Sequence, residues 1–591
     1  MNIMRIRSSS RWIAAWQRLV ARLTARDWDE GAVLMLFAVA IGSAAALGVV
    51  AFYKLIDLAF ALFIALPGET LAAASHAIYR PLLTAAGLVT AWALVHRFRL
   101  PDGQSVPDVQ LAVAKRGGRI DGRPAIIRTI AAAITLGSGG SAGSEGPTAV
   151  LGSAVGSTLG RALSFEPRRV KIFVGCGAAA GISAAFNAPF AGAFFALEEV
   201  LGSFSVGAFS PVVIASVVAS LVVRRFLGTH PAFHIPTYGE VTTANVLLLF
   251  PVLGIACGIA SAFYTRLFFA TSDLAARVPG HPVLRAIGGG LLVGAIGLAF
   301  NGLLVGNGHL AIPAPVFGGL VWYALLGLAL AKMVATALTL NMGGSGGQFT
   351  PSLFIGAALG GGIGRVAQSA LPSVAIHPQV WGLVAMAGVV AGANRCPLTA
   401  MFMVFEMTND YGLVPAIMLV SVIAYATASR LAPYGLYDGW LARRGEHIGH
   451  GADQAVLHRL RVREAMDAKA ITVTSSATMA DVVAAAARTK QTSIPVLEDD
   501  GSIAGVITYE ALREAMLDRG SLAPLIVASD LATPSETVTP LASLSDALQA
   551  MNLRALDAIP VVSSPDDLKY LGLLGRAELL SAYERELGNS V

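Results

Sequence analysis

Apolar positions in this chain do not alternate singly with polar ones. They run in blocks, at roughly 32–64, 79–98, 124–137, 147–163, 171–201, 207–228, 244–272, 282–305, 317–340, 350–370, 380–408 and 412–432. A helix rises about 1.5 Å per residue, so about 20 apolar residues cross a bilayer core of about 30 Å. Several blocks are too short for that. Others are long enough for one tilted span or for two broken ones. Gly and Pro interrupt many of them. Irregular backbone at membrane depth is tolerated only where it is buried in protein or lines a polar cavity. The pattern therefore predicts an all-α polytopic membrane domain with broken helices, the architecture of a transporter or channel. Beyond about residue 460 the pattern changes to short strands alternating with Ala-rich helices, an α+β pattern.

Charge separates the two parts. Only 13% of the 591 residues are charged, against roughly 25% in a soluble protein. Residues 446–591 hold 32 charges in 146, and the preceding 445 hold 47. The expected organisation is a segment 1–30, a membrane domain 31–445 with halves at about 31–235 and 244–440, a linker 446–460, and soluble segments at 461–518 and 527–584. Arg5, Arg7, Arg11, Arg18, Arg22 and Arg26 precede the first acid, Asp27, and place the N-terminus in the cytoplasm. Residues 11–24 suit a basic amphipathic helix on the membrane surface, or a cytoplasmic tail. The net charge of +5 is not gathered into a basic, aromatic-laced face, so a nucleic-acid partner is excluded. Cys176, Cys257 and Cys396 sit in apolar surroundings and read as small buried hydrophobes.

The membrane part repeats itself. Gly139-Gly-Ser-Ala-Gly143 matches Gly343-Gly-Ser-Gly-Gly347, 204 positions on, and the match continues from Pro147 to Arg161 over Pro351 to Arg365. At an offset of 208, Pro189 to Glu198 matches Pro397 to Glu406. Corresponding broken segments in two halves mark a transporter's binding site. If each half has an odd number of spans, the second is inverted. A Gly-rich loop leading into a helix exposes backbone N–H groups at the positive end of a dipole, an anion site without a fixed cation. The Gly139–Gly143 stretch also fits the G-x-S-x-G nucleophile elbow. It occurs twice, within membrane blocks and with no paired His nearby, so the chain is not read as an enzyme. Glycines for close helix packing account for Gly152, Gly156, Gly160 and their partners.

Ionisable residues at membrane depth point to function. Glu145 stands inside the first Gly-rich loop, where a carboxylate can occupy the anion site itself and compete with the ion. Glu198 and Glu199 end the first repeat's apolar helix. They point about 100° apart, so they divide the roles: one on a proton path, the other against backbone donors or capping an interface. Glu406 is the structural counterpart of Glu198. No carboxylate pairs lie at ligand spacing, so no metal site is expected and a divalent-cation transporter is poorly supported.

Three loops now resemble a known family. Gly143-Ser-Glu-Gly-Pro147, Gly347-Gln-Phe-Thr-Pro351 and Gly103-Gln-Ser-Val-Pro107 are similar to the signature loops of the CLC chloride channels and chloride/proton antiporters, and so is AAFNAPFAGAFFALEE at 184–199. The resemblance covers about residues 30–445 and implies an inverted-repeat homodimer with a pore in each protomer. It assigns Glu145 as the external gate, Glu199 as the internal proton-transfer glutamate, and Gln104, Ser105, Gly146, Gln348, Phe349 and Tyr437 to the anion path. Two positions depart from the pattern. Gln104 replaces the family's pore serine, so that Ser105 is left to contribute a hydroxyl. Ser144 replaces the basic residue before the gate.

Residues 461–518 and 527–584 resemble a tandem of CBS domains, through Val462-Arg-Glu-Ala-Met466, Thr492-Ser-Ile-Pro-Val-Leu497, Gly505-Val-Ile-Thr508, Ile559-Pro-Val-Val562 and Gly572-Leu-Leu574. Such pairs often bind adenine nucleotide, here through Thr508 and Glu578. Ala511 and Gly575 replace the usual Asp and Thr or Ser, which leaves a dimer-stabilising module as the other reading. No cofactor is required. The expected function is chloride transport as a chloride/proton antiporter with a glutamate gate, the alternative being a passive voltage- or pH-gated chloride channel of the same fold, in the inner membrane of a bacterium with both termini cytoplasmic. The expected partners are chloride or another small anion, protons, lipid and a second copy of the chain.

Overall fold

The computed structural model describes residues 30–67, 76–100, 105–228, 248–279, 281–306, 319–370, 377–446, 457, 460–489, 491–517, 526–553, 556–564 and 567–589. Gln104, the segment 11–24 and most of the linker lie outside them. The chain divides into two compact units, Met1–Ile448 and Gly449–Val591.

Among its described residues the first unit is built of helices. Its first half holds α1 (Glu30–Phe60), α2 (His76–Arg97), α3 (Val106–Lys115), α4 (Gly122–Gly137), α5 (Glu145–Ala162), α6 (Pro167–Phe186), α7 (Pro189–Phe195) and α8 (Val206–Leu227). The second holds α9 (Phe250–Arg277), α10 (Pro282–Ala299), α11 (Trp322–Asn341), α12 (Phe349–Ala370), α13 (Pro378–Asn394), α14 (Pro397–Thr408), α15 (Val414–Leu431) and α16 (Leu436–Arg443). Among the described residues seven helical stretches are long and apolar enough to cross a membrane. The block at 32–64 is one long helix closed by a π turn, Ala61–Ala65. The blocks at 171–201 and 380–408 each break in two. Asn187 and Arg395, 208 positions apart, end α6 and α13 in the left-handed region, and a proline then starts the next helix.

Each half packs in the same way. Helix α8 rests on α1 and α6, and α15 rests on α9 and α13. Helices α5 and α6 approach so closely that a Cβ on Gly152 or Gly156 would lie 2.0 Å from a backbone oxygen of α6. Their counterparts Gly356 and Gly360 meet the carbonyls of Ala385 and Trp381 on α13 at 2.5 and 2.2 Å. These glycines are packing surfaces, as the small-residue spacing implied. One core then runs through both halves, from Phe173 and Phe186 to Phe349, Phe354 and Trp381.

One antiparallel crossing and a pair of threonine contacts join the halves. Gly143 and Gly347 exchange N–H···O bonds of 2.8 Å in both directions. The Ser141 N–H donates to Thr339 Oγ1 and the Ser345 N–H to Thr135 Oγ1, each at 3.0 Å, and both acceptors are 204 positions apart, like the donors. Gly139 and Gly343 take φ of +100° and +107° so that the loops can turn into this crossing.

The second unit carries two small β–α layers. Strand β1 (Val473–Thr474) pairs parallel with β2 (Ser493–Leu497), which pairs antiparallel with β3 (Ile503–Thr508). Strand β4 (Ala558–Val562) pairs antiparallel with β5 (Tyr570–Gly575), and Val538 bridges it in parallel at Val561. Val473–Val496 and Val538–Val561 are the same pairing 65 residues apart. Each layer has its own apolar core.

Candidate anion path and buried carboxylates

Glu145 is the first residue of α5 and is fully buried. Its Oε1 accepts the Phe349 N–H at 2.5 Å and its Oε2 accepts the Thr350 hydroxyl at 2.9 Å. These donors stand at the start of α12, where main-chain N–H groups have no partner inside the helix. The carboxylate of one repeat is thus seated on the donor end of the other repeat's helix. Gly143 and Gly347 form the rest of the seat: a Cβ on either would come within 2.3 Å of a carboxylate oxygen. Phe186 and Phe195 pack their rings against Phe349 and fix the start of α12.

A cavity of about 520 Å³ reaches this seat and is lined by Ser105, Gly146, Gln348 and Tyr437, four of the expected anion-path residues. The Tyr437 hydroxyl and the Gln348 side-chain oxygen are buried and have no hydrogen-bond partner among the described residues. Ser105 is the N-cap of α3, and its N–H donates to Asp108 at 3.1 Å. Arg444 Nη1 donates to the other Asp108 oxygen at 2.9 Å, tying the end of α16 to the start of α3. Arg128 and Arg285 line the same cavity.

The two adjacent glutamates occupy different settings, as their angular separation requires. Both lie in a π turn, Ala196–Val200, that extends α7. Glu198 accepts from the Leu398 and Thr399 N–H groups and the Thr399 hydroxyl, at 3.0, 2.7 and 2.7 Å. Glu406 returns the arrangement, accepting from the Phe190 and Ala191 N–H groups at 2.9 and 2.8 Å. Each repeat's glutamate caps the short helix of the other. Glu199 is buried, and Gln110 Nε2 donates to its Oε1 at 2.7 Å and to its backbone oxygen at 2.9 Å. Glu199 does not line the cavity that Tyr437 and Gln348 share.

Thr350, Gln110 and the two cavity arginines are site residues that motif reading does not pick out. Gln110 had a signal: it is a polar residue inside the otherwise apolar run from Val109 to Val113. Thr508 and Glu578 lie in the second unit. The Thr508 hydroxyl accepts the Ala511 N–H at 3.2 Å and so caps its own helix, Tyr509–Leu517. Glu578 stands against Gly575, where a Cβ would meet its carboxylate at 2.3 Å.

Residues 86–429 match the voltage gated chloride channel family, which is more than half of the chain. The chain belongs to that family. Two further segments, 462–518 and 528–585, match the CBS domain. A ClcB-like chloride channel protein of Ralstonia nicotianae is 33% identical over 61% of this chain and 84% of its own length. An H⁺/Cl⁻ exchange transporter, ClcA, of Salmonella arizonae is 32% identical over 72% of this chain and 91% of its own. The crystal structure of a slow cyanobacterial Cl⁻/H⁺ antiporter shares the fold, with a TM-score of 0.63 at 23% identity over 70% of this chain and 97% of that one. The protein is therefore a CLC-type integral membrane protein of a chloride-transporting family, and its members are transporters or channels rather than enzymes.

Proposed function

We propose that this protein exchanges chloride for protons. The observation that carries the reading is the Glu145 carboxylate seated on the Phe349 N–H and the Thr350 hydroxyl. An anionic side chain there fills the place a small anion would take, and protonation would remove the charge that holds it. Glu145 then serves in turn as gate and proton carrier. Glu199, held by Gln110, exchanges protons from the other side. Phe349, Gln348, Gly146, Ser105, Tyr437 and Gln104 serve the anion path. Backbone amides and hydroxyls bind an anion without the full charge that would slow its release. The protein works as a homodimer in a bacterial inner membrane with both termini cytoplasmic, an orientation supported by the six arginines before Asp27.

In proteoliposomes, a chloride gradient should drive protons uphill. Glu199→Gln should stop proton movement and leave chloride flux. Chloride flux with no proton movement in the unsubstituted protein would make it a passive channel of the same fold. No chloride flux at all would overturn the transport reading.

A further inference from the structure

Lys332 is the one fully buried basic side chain among the described residues. It lies on α11, inside the membrane unit, with no carboxylate within ion-pair distance among the described residues. Its ammonium donates to the Leu304 carbonyl at 3.2 Å and stands 5.3 Å above the Phe354 ring. One carbonyl and one ring face are poor compensation for a buried charge, which costs several kcal/mol to desolvate. A methionine of similar volume would fill the same space without that cost. A charge kept in such a place calls for a function.

Its position supplies one. Phe354 is five residues into α12 from Phe349, whose N–H holds the Glu145 carboxylate. Five residues of helix rise about 7.5 Å, so the ammonium stands on the order of 10 Å from the seat. Thr336, one turn further along α11, meets Ser141 Oγ at 3.2 Å in the first Gly-rich loop, and Thr339 accepts the Ser141 N–H. The same helix face thus carries Lys332 and braces the loop that presents Glu145. The repeat adds an independent observation. Lys332 is the counterpart of Arg128 at the 204-residue offset, and Arg128 lines the cavity with Ser105, Gln348 and Tyr437. The offset thus pairs a cation on α4, Arg128, with one on α11, Lys332.

We infer that the Lys332 ammonium is the fixed positive charge of the Glu145 seat, which attracts whichever anion occupies it, carboxylate or chloride, without ligating it. The Leu304 carbonyl and the Phe354 ring hold the ammonium off the path. The field reaches the anion, while its ligands stay neutral and release it readily. One unit charge at about 10 Å, with an effective dielectric constant of about 20, changes anion affinity by about tenfold.

This inference rests on the chloride-transport reading, and chloride titration of the purified full-length protein by calorimetry tests it. Lys332→Met should weaken chloride binding by about tenfold, and Lys332→Arg should restore it to within about twofold. Unchanged affinity in a folded Lys332→Met protein overturns the inference and leaves the transport reading intact. If that variant does not fold, Lys332→Gln, which keeps a donor for Leu304 without the charge, repeats the test under the same criterion. Failure of both neutral variants to fold makes Lys332 a structural residue and overturns the inference as well. Absence of chloride binding and flux in the unsubstituted protein overturns both readings together.

Discussion

Glu145→Gln is the sharpest perturbation of the seat, because it removes the charge and keeps the shape. In the unsubstituted protein the carboxylate receives one backbone and one hydroxyl hydrogen bond. Hydrogen bonds to a charged group contribute about 1.5–3 kcal/mol, against about 0.5–1.5 for neutral pairs. An amide can still accept from the Phe349 N–H. Its NH₂ then faces Thr350, whose hydroxyl must turn to accept. The two bonds together lose about 2–3 kcal/mol of hold, which favours a competing anion by about 30- to 150-fold. Chloride binding measured by calorimetry should tighten by up to that factor. In proteoliposomes, chloride flux should persist, lose its dependence on pH and carry no protons. A Glu145→Gln protein that still drives protons uphill refutes the gate assignment. Chloride affinity unchanged within about twofold refutes the claim that the side chain competes for the seat.

Three further outcomes are expected. Glu198→Ala and Glu406→Ala should each lower the thermal stability of the detergent-solubilised protein, by about 1–2 kcal/mol, since each opens a partly buried helix end. Glu198→Ala should cost more by about 1 kcal/mol, because Glu198 holds the Thr399 hydroxyl as well as two N–H groups. Gln110→Leu should slow proton movement by at least about tenfold at unchanged chloride flux in the two-ion liposome assay, because it removes the Gln110 hydrogen bond to Glu199. Millimolar ATP should leave the melting temperature of the full-length protein unchanged, because the Thr508 hydroxyl is engaged by its own helix and Ala511 replaces the usual Asp.

The two offsets in the sequence carry much of the architecture. A 204-residue shift predicts which loops are equivalent, and those loops meet at Gly143 and Gly347. The Gly-rich stretches before α5 and α12 also point to helix donor ends, and Glu145 is seated on one of them. What sequence pattern withheld is contact between the halves. Nothing in the spacing of Glu198 and Glu406 shows that each closes the other's helix, because reciprocity is a property of a two-fold arrangement and not of either copy. Lys332 was hidden for a different reason. A single lysine in an apolar helix resembles a snorkelling residue, and only its burial against Leu304 and Phe354 shows that its charge does not reach water. Gln110 needed the fold as well, because its partner lies 89 positions away.

The exchange of caps between Glu198 and Glu406 leaves each half without the group that closes one of its own helix starts. A chain cut between residues 229 and 247 would give two pieces, each with an open helix end, half of a glycine crossing, and either the gate glutamate or its seat. The two pieces would have to meet before either could satisfy its buried donors. The anion path is in that sense the product of an assembly step inside one chain, and docking of the halves would create it in a single event.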